Sequence, residues 1–128
     1  EANKITFDRI LFKPGQNLQR DILHQEGDFP ATNCKIINCV CDTSTGTAKG
    51  LTGEGLTKTL IEGNRFDTIP LTSNEGDCYL TSNIIRGNFF YSIPLSALTN
   101  LNVVSGNQTD TAIVDNGTGN QIANNCVF

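Results

Sequence analysis

Aspartates recur at one offset within a repeated stretch of this sequence. Asp42, Asp67 and Asp110 each lie three residues after the Asn or Cys at the turn of a short repeat, and Tyr91 has that offset in another copy. Equivalent residues on neighbouring strands of a sheet lie roughly 5 Å apart, close to the carboxylate separation of a retaining glycosidase. Such proximity also raises the pKa of one carboxyl and so supplies an acid. Asp42 and Asp67 are therefore the candidate catalytic residues; the alternatives are a solvated polar pair or part of a subunit contact.

Two arginines suggest a second chemistry. A polysaccharide lyase needs a basic residue beside the substrate α-carbon and a cation that neutralises the substrate carboxylate, and Arg65 and Arg86 are the candidates. Glu62 and Arg86 hold matching positions of the repeat, so a surface salt bridge is the simpler role for Arg86. His24 is the only histidine and has no Ser or Cys partner at a recognised spacing, so no catalytic triad is predicted. No acidic cage lies near either arginine, and the sequence predicts no cofactor and no metal site.

Aromatic residues provide candidate binding positions. Phe89 and Tyr91 flank Phe90, so in an extended strand they point away from the face that Phe90 occupies. If Phe90 is buried, two neighbouring aromatic side chains are exposed, which indicates a contact surface. Sugar rings stack on such side chains and subunit interfaces bury them, and a subunit interface is favoured here. The candidate binding residues are Phe89, Tyr91, Arg65 and Arg86.

A repeat positions all of these residues. Ile61–Thr72 reads I-E-G-N-R-F-D-T-I-P-L-T, and Ile85–Ser96 reads I-R-G-N-F-F-Y-S-I-P-L-S, at an offset of 24 residues without gaps. Weaker copies lie at residues 36–43, 104–111 and 122–127. The shared pattern is apolar, any, Gly or Asn, Asn, any, apolar. Cys39 departs from it at the fourth place of the first copy, and Thr109 at the last place of the fourth.

The Gly-Asn pair interrupts what would otherwise be a plain strand. Ile61 and Phe66 are five residues apart, so an unbroken strand would place them on opposite faces. Because Asn tolerates the left-handed backbone region, as Gly does, one residue of this pair is expected to turn the chain sharply, after which both apolar side chains face one core. Stacked copies align the turn residues, whose side-chain amides donate and accept along a ladder. The expected ladder contains Asn64, Asn88, Asn107 and Asn125, with Cys39 at its start.

Coils that each bury a face on the next coil are typical of solenoids. The I-x-G-N-x-F repeats resemble right-handed parallel β-helix proteins of the pectate-lyase type, a fold that phage tailspikes and appendages share. The resemblance covers about residues 34–128 and implies an all-β, right-handed parallel β-helix of about five short coils. Residues 1–33 are expected to form an N-terminal strand and an irregular segment of the same single domain.

Composition narrows the class of protein. Charged residues make up only 17%, while fifteen Asn, fifteen Thr and 12 Gly favour turns and strands over helix. The net charge of −4 gives no basic surface for nucleic acid, and no apolar run is long enough to span a membrane. The five cysteines are an odd number, so at least one thiol is unpaired or bonded to another chain; free buried or half-buried thiols are the simplest interpretation.

These observations lead to one main hypothesis about function and two alternatives. The sequence contains no Met and does not begin with a signal peptide, so we expect a processed product or an excised piece of a longer protein. The main hypothesis is a structural and surface-binding fragment of a homotrimeric phage tailspike or appendage, in the virion tail or outside the cell, with surface polysaccharide as its ligand. The alternatives are a β-helical polysaccharide hydrolase or lyase, and a secreted or adhesin-like β-helix.

Overall fold

A computed structural model describes residues 4–13, 22–23, 31–44, 48–52, 55–72 and 79–128, so His24 and Cys78 lie outside the described residues. Within these ranges there is no helix long and apolar enough to cross a membrane. The strands of the described part are β1 (Thr6–Asp8), β2 (Leu11–Phe12), β3 (Ala31–Thr32), β4 (Lys35–Ile37), β5 (Val40–Cys41), β6 (Gly55–Thr57), β7 (Leu60–Glu62), β8 (Arg65–Phe66), β9 (Tyr79–Thr81), β10 (Ile84–Arg86), β11 (Phe89–Phe90), β12 (Thr99–Asn100), β13 (Val103–Ser105), β14 (Gln108–Thr109), β15 (Gln121–Ala123) and β16 (Cys126–Val127).

The strands form three sheets in which every pair is parallel. Sheet 1 has the order β1-β4-β7-β10-β13-β15, sheet 2 has β2-β5-β8-β11-β14-β16, and sheet 3 has β3-β6-β9-β12. The chain passes from sheet 3 to sheet 1 to sheet 2 and then repeats the circuit. This is an all-β architecture compatible with a parallel β-helix, as the repeat predicted.

The N-terminal strand belongs to the same stack. β1 pairs with β4, and β2 pairs with β5. Sheets 1 and 2 therefore contain six strands each, where the sequence led us to expect about five coils.

The predicted column of aliphatic side chains lies along sheet 1. Strand pairing aligns Ile36 with Ile61, Ile61 with Ile85 and Ile85 with Val104, and all four side chains are fully buried. Ile122 continues the column on β15, where it is partly exposed. The middle position of a three-residue strand points the four buried side chains into the core. The expectation that Ile122 is buried with them is wrong, because β15 is an edge strand of the sheet and leaves one side of Ile122 uncovered.

A second column of aromatic side chains lies along sheet 2. The rings of Phe66 and Phe90 are stacked, with centroids 5.3 Å apart and planes 16° apart. Phe12 packs on the other side of Phe66 at 6.1 Å. This column confirms that the alternation restarts after the Gly-Asn pair, because Ile61 and Phe66 face the same core.

The turn between sheets 1 and 2 is made by one residue of the Gly-Asn pair, as predicted, and that residue is the glycine. The residue in the left-handed region is the one before the asparagine, with φ of 64° at Gly63, 63° at Gly87 and 62° at Gly106. The asparagine that follows is buried and points inward. Glycine suits the corner because it has no Cβ and adopts a positive φ without steric cost, and the side chain of the asparagine that follows is buried.

The predicted asparagine ladder is present inside this corner. The Oδ1 of Asn88 accepts hydrogen bonds from the backbone N–H and the Nδ2 of Asn64, each at 3.0 Å. The Nδ2 of Asn88 donates to the Ile61 carbonyl and to the Oδ1 of Asn107, both at 2.9 Å. Asn107 bonds to Asn125 in the same way. At the start of the ladder the backbone N–H of Cys39 donates to Asn64 Oδ1 at 2.8 Å, so Cys39 holds the expected place.

A second ladder, which the sequence interpretation missed, lines the corner between sheets 3 and 1. Asn83 Oδ1 accepts from the backbone N–H of Thr59, and Asn102 Oδ1 accepts from both the N–H and the Nδ2 of Asn83. Asn120 bonds to Asn102 in the same manner. Each member precedes a member of the first ladder by five residues, and that recurrent spacing is the signal that could have revealed it. The two ladders supply hydrogen-bond partners for buried polar groups along two corners of the stack.

The corner before the second ladder provides a test of backbone strain. Ser82 occupies the left-handed region there, at φ 57°. Ser82→Gly should raise the free energy of unfolding by about 0.5–1 kcal/mol, because the relief of steric strain exceeds the added entropy of the unfolded chain. Chemical denaturation measures the change. Ser105→Gly, within strand β13, is the control and should lower stability; a loss of stability in both variants would contradict the strain argument.

Candidate functional site

The predicted binding residues Arg65, Phe89 and Tyr91 lie on the outer side of sheet 2 or directly after it. Phe89 is paired with Arg65 on one neighbouring strand and with Gln108 on the other. Phe89 and Tyr91 are exposed and Phe90 is buried, as predicted from the alternation. Arg86 lies on β10 of sheet 1, so the corner between sheets 1 and 2 separates it from the other three predicted binding residues.

Asp42, the first of the predicted catalytic carboxylates, is held by local partners. The backbone N–H of Ser44 donates to its Oδ1 at 3.0 Å, and Lys13 Nζ lies 3.8 Å from its Oδ2. Hydrogen bonds from the Ser44 side chain and backbone, with the charge of Lys13, lower the pKa of Asp42 below its usual value. Asp42 is therefore ionised at neutral pH and does not supply a protonated acid there.

Asp67, the second predicted carboxylate, has a separate cationic partner. The Nε of Arg65 lies 2.9 Å from one of its carboxylate oxygens and 3.2 Å from the other. The pairing between β5 and β8 includes only Val40 with Arg65, so it ends before the two aspartates. A turn follows strand β8, and in it the N–H of Ile69 donates to the Phe66 carbonyl. A joint catalytic role of Asp42 and Asp67 stays a prediction.

An aromatic cleft lies beside this ion pair. It encloses about 220 Å³, and we call it the Phe89 cleft; its walls are Arg65, Asp67, Phe89, Phe90, Gln108, Asp110 and Phe128. The Phe128 ring is nearly parallel to the Phe89 ring, with centroids 6.3 Å apart and planes 17° apart. The Arg65 guanidinium lies 5.7 Å from the Phe89 centroid, within the range of a cation–π contact. The cleft thus combines an apolar floor with two carboxylates, an amide and one cation.

A second, wider groove follows the corner between sheets 1 and 2. It encloses about 650 Å³, and its charged side chains are Glu62 and Arg86. Arg86 Nε lies 2.8 Å from Glu62 Oε1, which confirms the predicted surface salt bridge. Both side chains are largely exposed, so the pair contributes at most about 1 kcal/mol. Because the two charges neutralise each other, this groove offers a ligand fewer charged groups than the Phe89 cleft does.

The described cysteines differ in exposure. Cys39 is buried, Cys41 is half-buried and Cys126 is exposed, and all three are free thiols. Burial and the neighbouring Asp42 charge raise the pKa of Cys41 to about 11. Since the thiolate is the reactive form, Cys41 is a weak nucleophile at neutral pH.

Comparisons of the sequence with protein-family models, with curated proteins and with solved structures find no match. The function of the candidate site is therefore inferred from its geometry alone. The sequence interpretation predicted Arg65 and Phe89 as binding residues, and both line the cleft, but it did not include Gln108 and Phe128, which line it as well. Phe128 lies three residues after Asn125, the same offset that identified the aspartates, and this signal could have placed it beside them.

Proposed function

We propose that this chain is a right-handed parallel β-helix module of a homotrimeric phage tailspike or appendage. In this proposal one face joins the copies and another binds the host surface. The observation that carries it is a row of three aligned aliphatic side chains on the outer side of sheet 1, with a further exposed leucine at the corner that leads into the sheet. The patch consists of Leu60, Ile84, Leu101 and Val103, and we call it the aliphatic patch.

The aliphatic patch is larger than a scatter of single exposed residues. Ile84 is paired with Leu60 on one side and with Val103 on the other. Ile84 is 42% exposed and Leu101 is 63% exposed. Single exposed aliphatic residues need no explanation, but a continuous row on a flat sheet is typical of an interaction surface. Around a three-fold axis, the patches of three copies would meet and exclude water.

The ladders support a role as a rigid scaffold. Each amide is held by neighbours on both adjacent coils in the middle of the stack, as Asn88 is. Fully satisfied buried networks of this kind rigidify a structure.

Self-association through the aliphatic patch gives a direct test. The unmodified chain should behave in light scattering as three copies of the 13.8 kDa chain. Ile84→Arg should produce a monomer, because it would place desolvated, unpaired charges at the centre of the interface.

Tyr91→Arg is the matched control. It introduces the same charge at an equally exposed position beyond sheet 2 and should leave the trimer intact. If Tyr91→Arg dissociates the trimer and Ile84→Arg does not, the interface lies on the Phe89 and Tyr91 side, as the sequence favoured. A monomer of the unmodified chain at micromolar concentration would refute the trimer itself.

A further inference from the structure

We propose that the Phe89 cleft binds one ring of a neutral or amino sugar and discriminates against acidic sugars. This inference rests on the surface-binding role proposed above and names the class of ligand. It requires the outer side of sheet 2 to be free, as it is when the copies join through the aliphatic patch.

The floor of the cleft suits the apolar face of a sugar ring. Phe89 is 36% exposed and Phe128 is 75% exposed, and their rings are nearly parallel. Phenylalanine has no polar group, so these rings offer only an apolar surface. A ligand that covers them must combine an apolar face with a polar edge, which a pyranose ring does.

The rim of the cleft supplies partners for hydroxyl groups. Gln108 has an amide that both donates and accepts, and Asp67 and Asp110 have carboxylate oxygens that accept. Hydroxyl groups of a sugar donate to carboxylates, and such charge-assisted hydrogen bonds are stronger than neutral ones. The cleft therefore offers acceptors and a donor for hydroxyl groups among the same residues that supply its apolar rings.

The charge of the cleft decides between classes of sugar. Arg65 is already engaged, because its Nε contacts both oxygens of Asp67 and its guanidinium lies over the Phe89 ring. Asp110 then leaves the cleft with a net negative charge, on a chain whose own net charge is −4. A uronic acid or a sulfated sugar would meet repulsion, whereas a neutral sugar would not and a protonated amino sugar would be attracted.

The size and rigidity of the cleft fit a single ring. Its volume of about 220 Å³ is below the roughly 300–1,000 Å³ of sites for drug-sized molecules. The backbone N–H of Phe128 is anchored to the Thr109 carbonyl at 3.0 Å, and Asp67 holds Arg65, so little is left to order on binding. One ring per cleft gives weak binding, and several clefts on one assembly would bind a repeating polymer by multivalency.

The test uses an array of immobilised neutral, amino and acidic oligosaccharides, followed by titration of the bound class with NMR detection of backbone amides. We expect binding to neutral or amino sugars and chemical-shift changes at Gln108, Asp110 and Phe128. Phe89→Ala should weaken binding by about tenfold, the effect of losing one aromatic contact. Tyr79→Ala changes an exposed aromatic residue on strand β9 of sheet 3, away from the cleft, so it is the matched control and should bind like the unmodified chain.

A third variant tests the charge argument. Asp110→Asn keeps the shape of the side chain and one acceptor oxygen but replaces the other oxygen by a donor and removes the charge, so the discrimination against acidic sugars should decrease. Binding only to acidic sugars, binding to no sugar on the array, or full binding by Phe89→Ala would each overturn the inference. A trimer in light scattering that bound no sugar would overturn the inference alone and leave the proposed self-association standing.

Discussion

Asn88→Leu is expected to lower the free energy of unfolding by about 2–6 kcal/mol, because it strands two buried donors of Asn64 and each such group costs about 1–3 kcal/mol. The donors are the backbone N–H and one Nδ2 hydrogen, which both bond to Asn88 Oδ1. The substitution also removes the donor to the Ile61 carbonyl. Leucine has a similar size, so the loss reports on hydrogen bonding more than on volume. Since single domains have about 5–15 kcal/mol of total stability, this one change removes a large part of it.

The measurement is chemical denaturation followed by circular dichroism. Asn116→Leu makes the same chemical change at an exposed position and should alter stability by no more than about 0.5 kcal/mol. If the two variants unfold at the same denaturant concentration, the ladder makes no net contribution. A larger effect of Asn88→Leu would show that the stack depends on its corners as well as on its apolar columns.

The sequence was informative where a residue type and a spacing recurred together. The apolar column and the first ladder were predictable because the Gly-Asn pair restarts the strand alternation at the same place in each clear copy. The second ladder was not recognised, because its corner is occupied by different residues, such as Lys58, Ser82 and Leu101 in the left-handed region. The sequence gives no signal that a lysine, serine or leucine adopts the left-handed backbone conformation, since these residues normally avoid that region.

The candidate site was predictable only in part, for a different physical reason. Sequence alternation indicated which side chains face outward, and this placed Arg65 and Phe89 correctly. It assumed that strand pairing continues through the aspartates, but a turn after Phe66 ends the pairing first. Alternation also cannot show which outward side chains touch across coils. The stacking of Phe128 on Phe89 depends on side-chain reach between strands that are not neighbours.

The aromatic column of sheet 2 gives the second large effect. Phe90 is 1% exposed and its ring is stacked on Phe66 at 5.3 Å. Phe90→Ala should lower the free energy of unfolding by about 3–5 kcal/mol, because it removes buried apolar surface and leaves a cavity that the rigid coils cannot close. Thr109, the residue paired with Phe90 on the next strand, is too small to fill the space.

Phe89→Ala is a particularly close control, since it changes the same residue type one position earlier on the same strand. Its side chain points outward, where truncation removes the contacts with Phe128 and Arg65 but creates no cavity. We expect it to cost less than about 1 kcal/mol in the same denaturation experiment. Equal losses in the two variants would mean that Phe89 is as buried as Phe90 in solution, and the cleft proposed to bind sugar would then be closed. A large loss for Phe90→Ala with a small one for Phe89→Ala would establish in solution the inward and outward alternation on which both the core and the cleft depend.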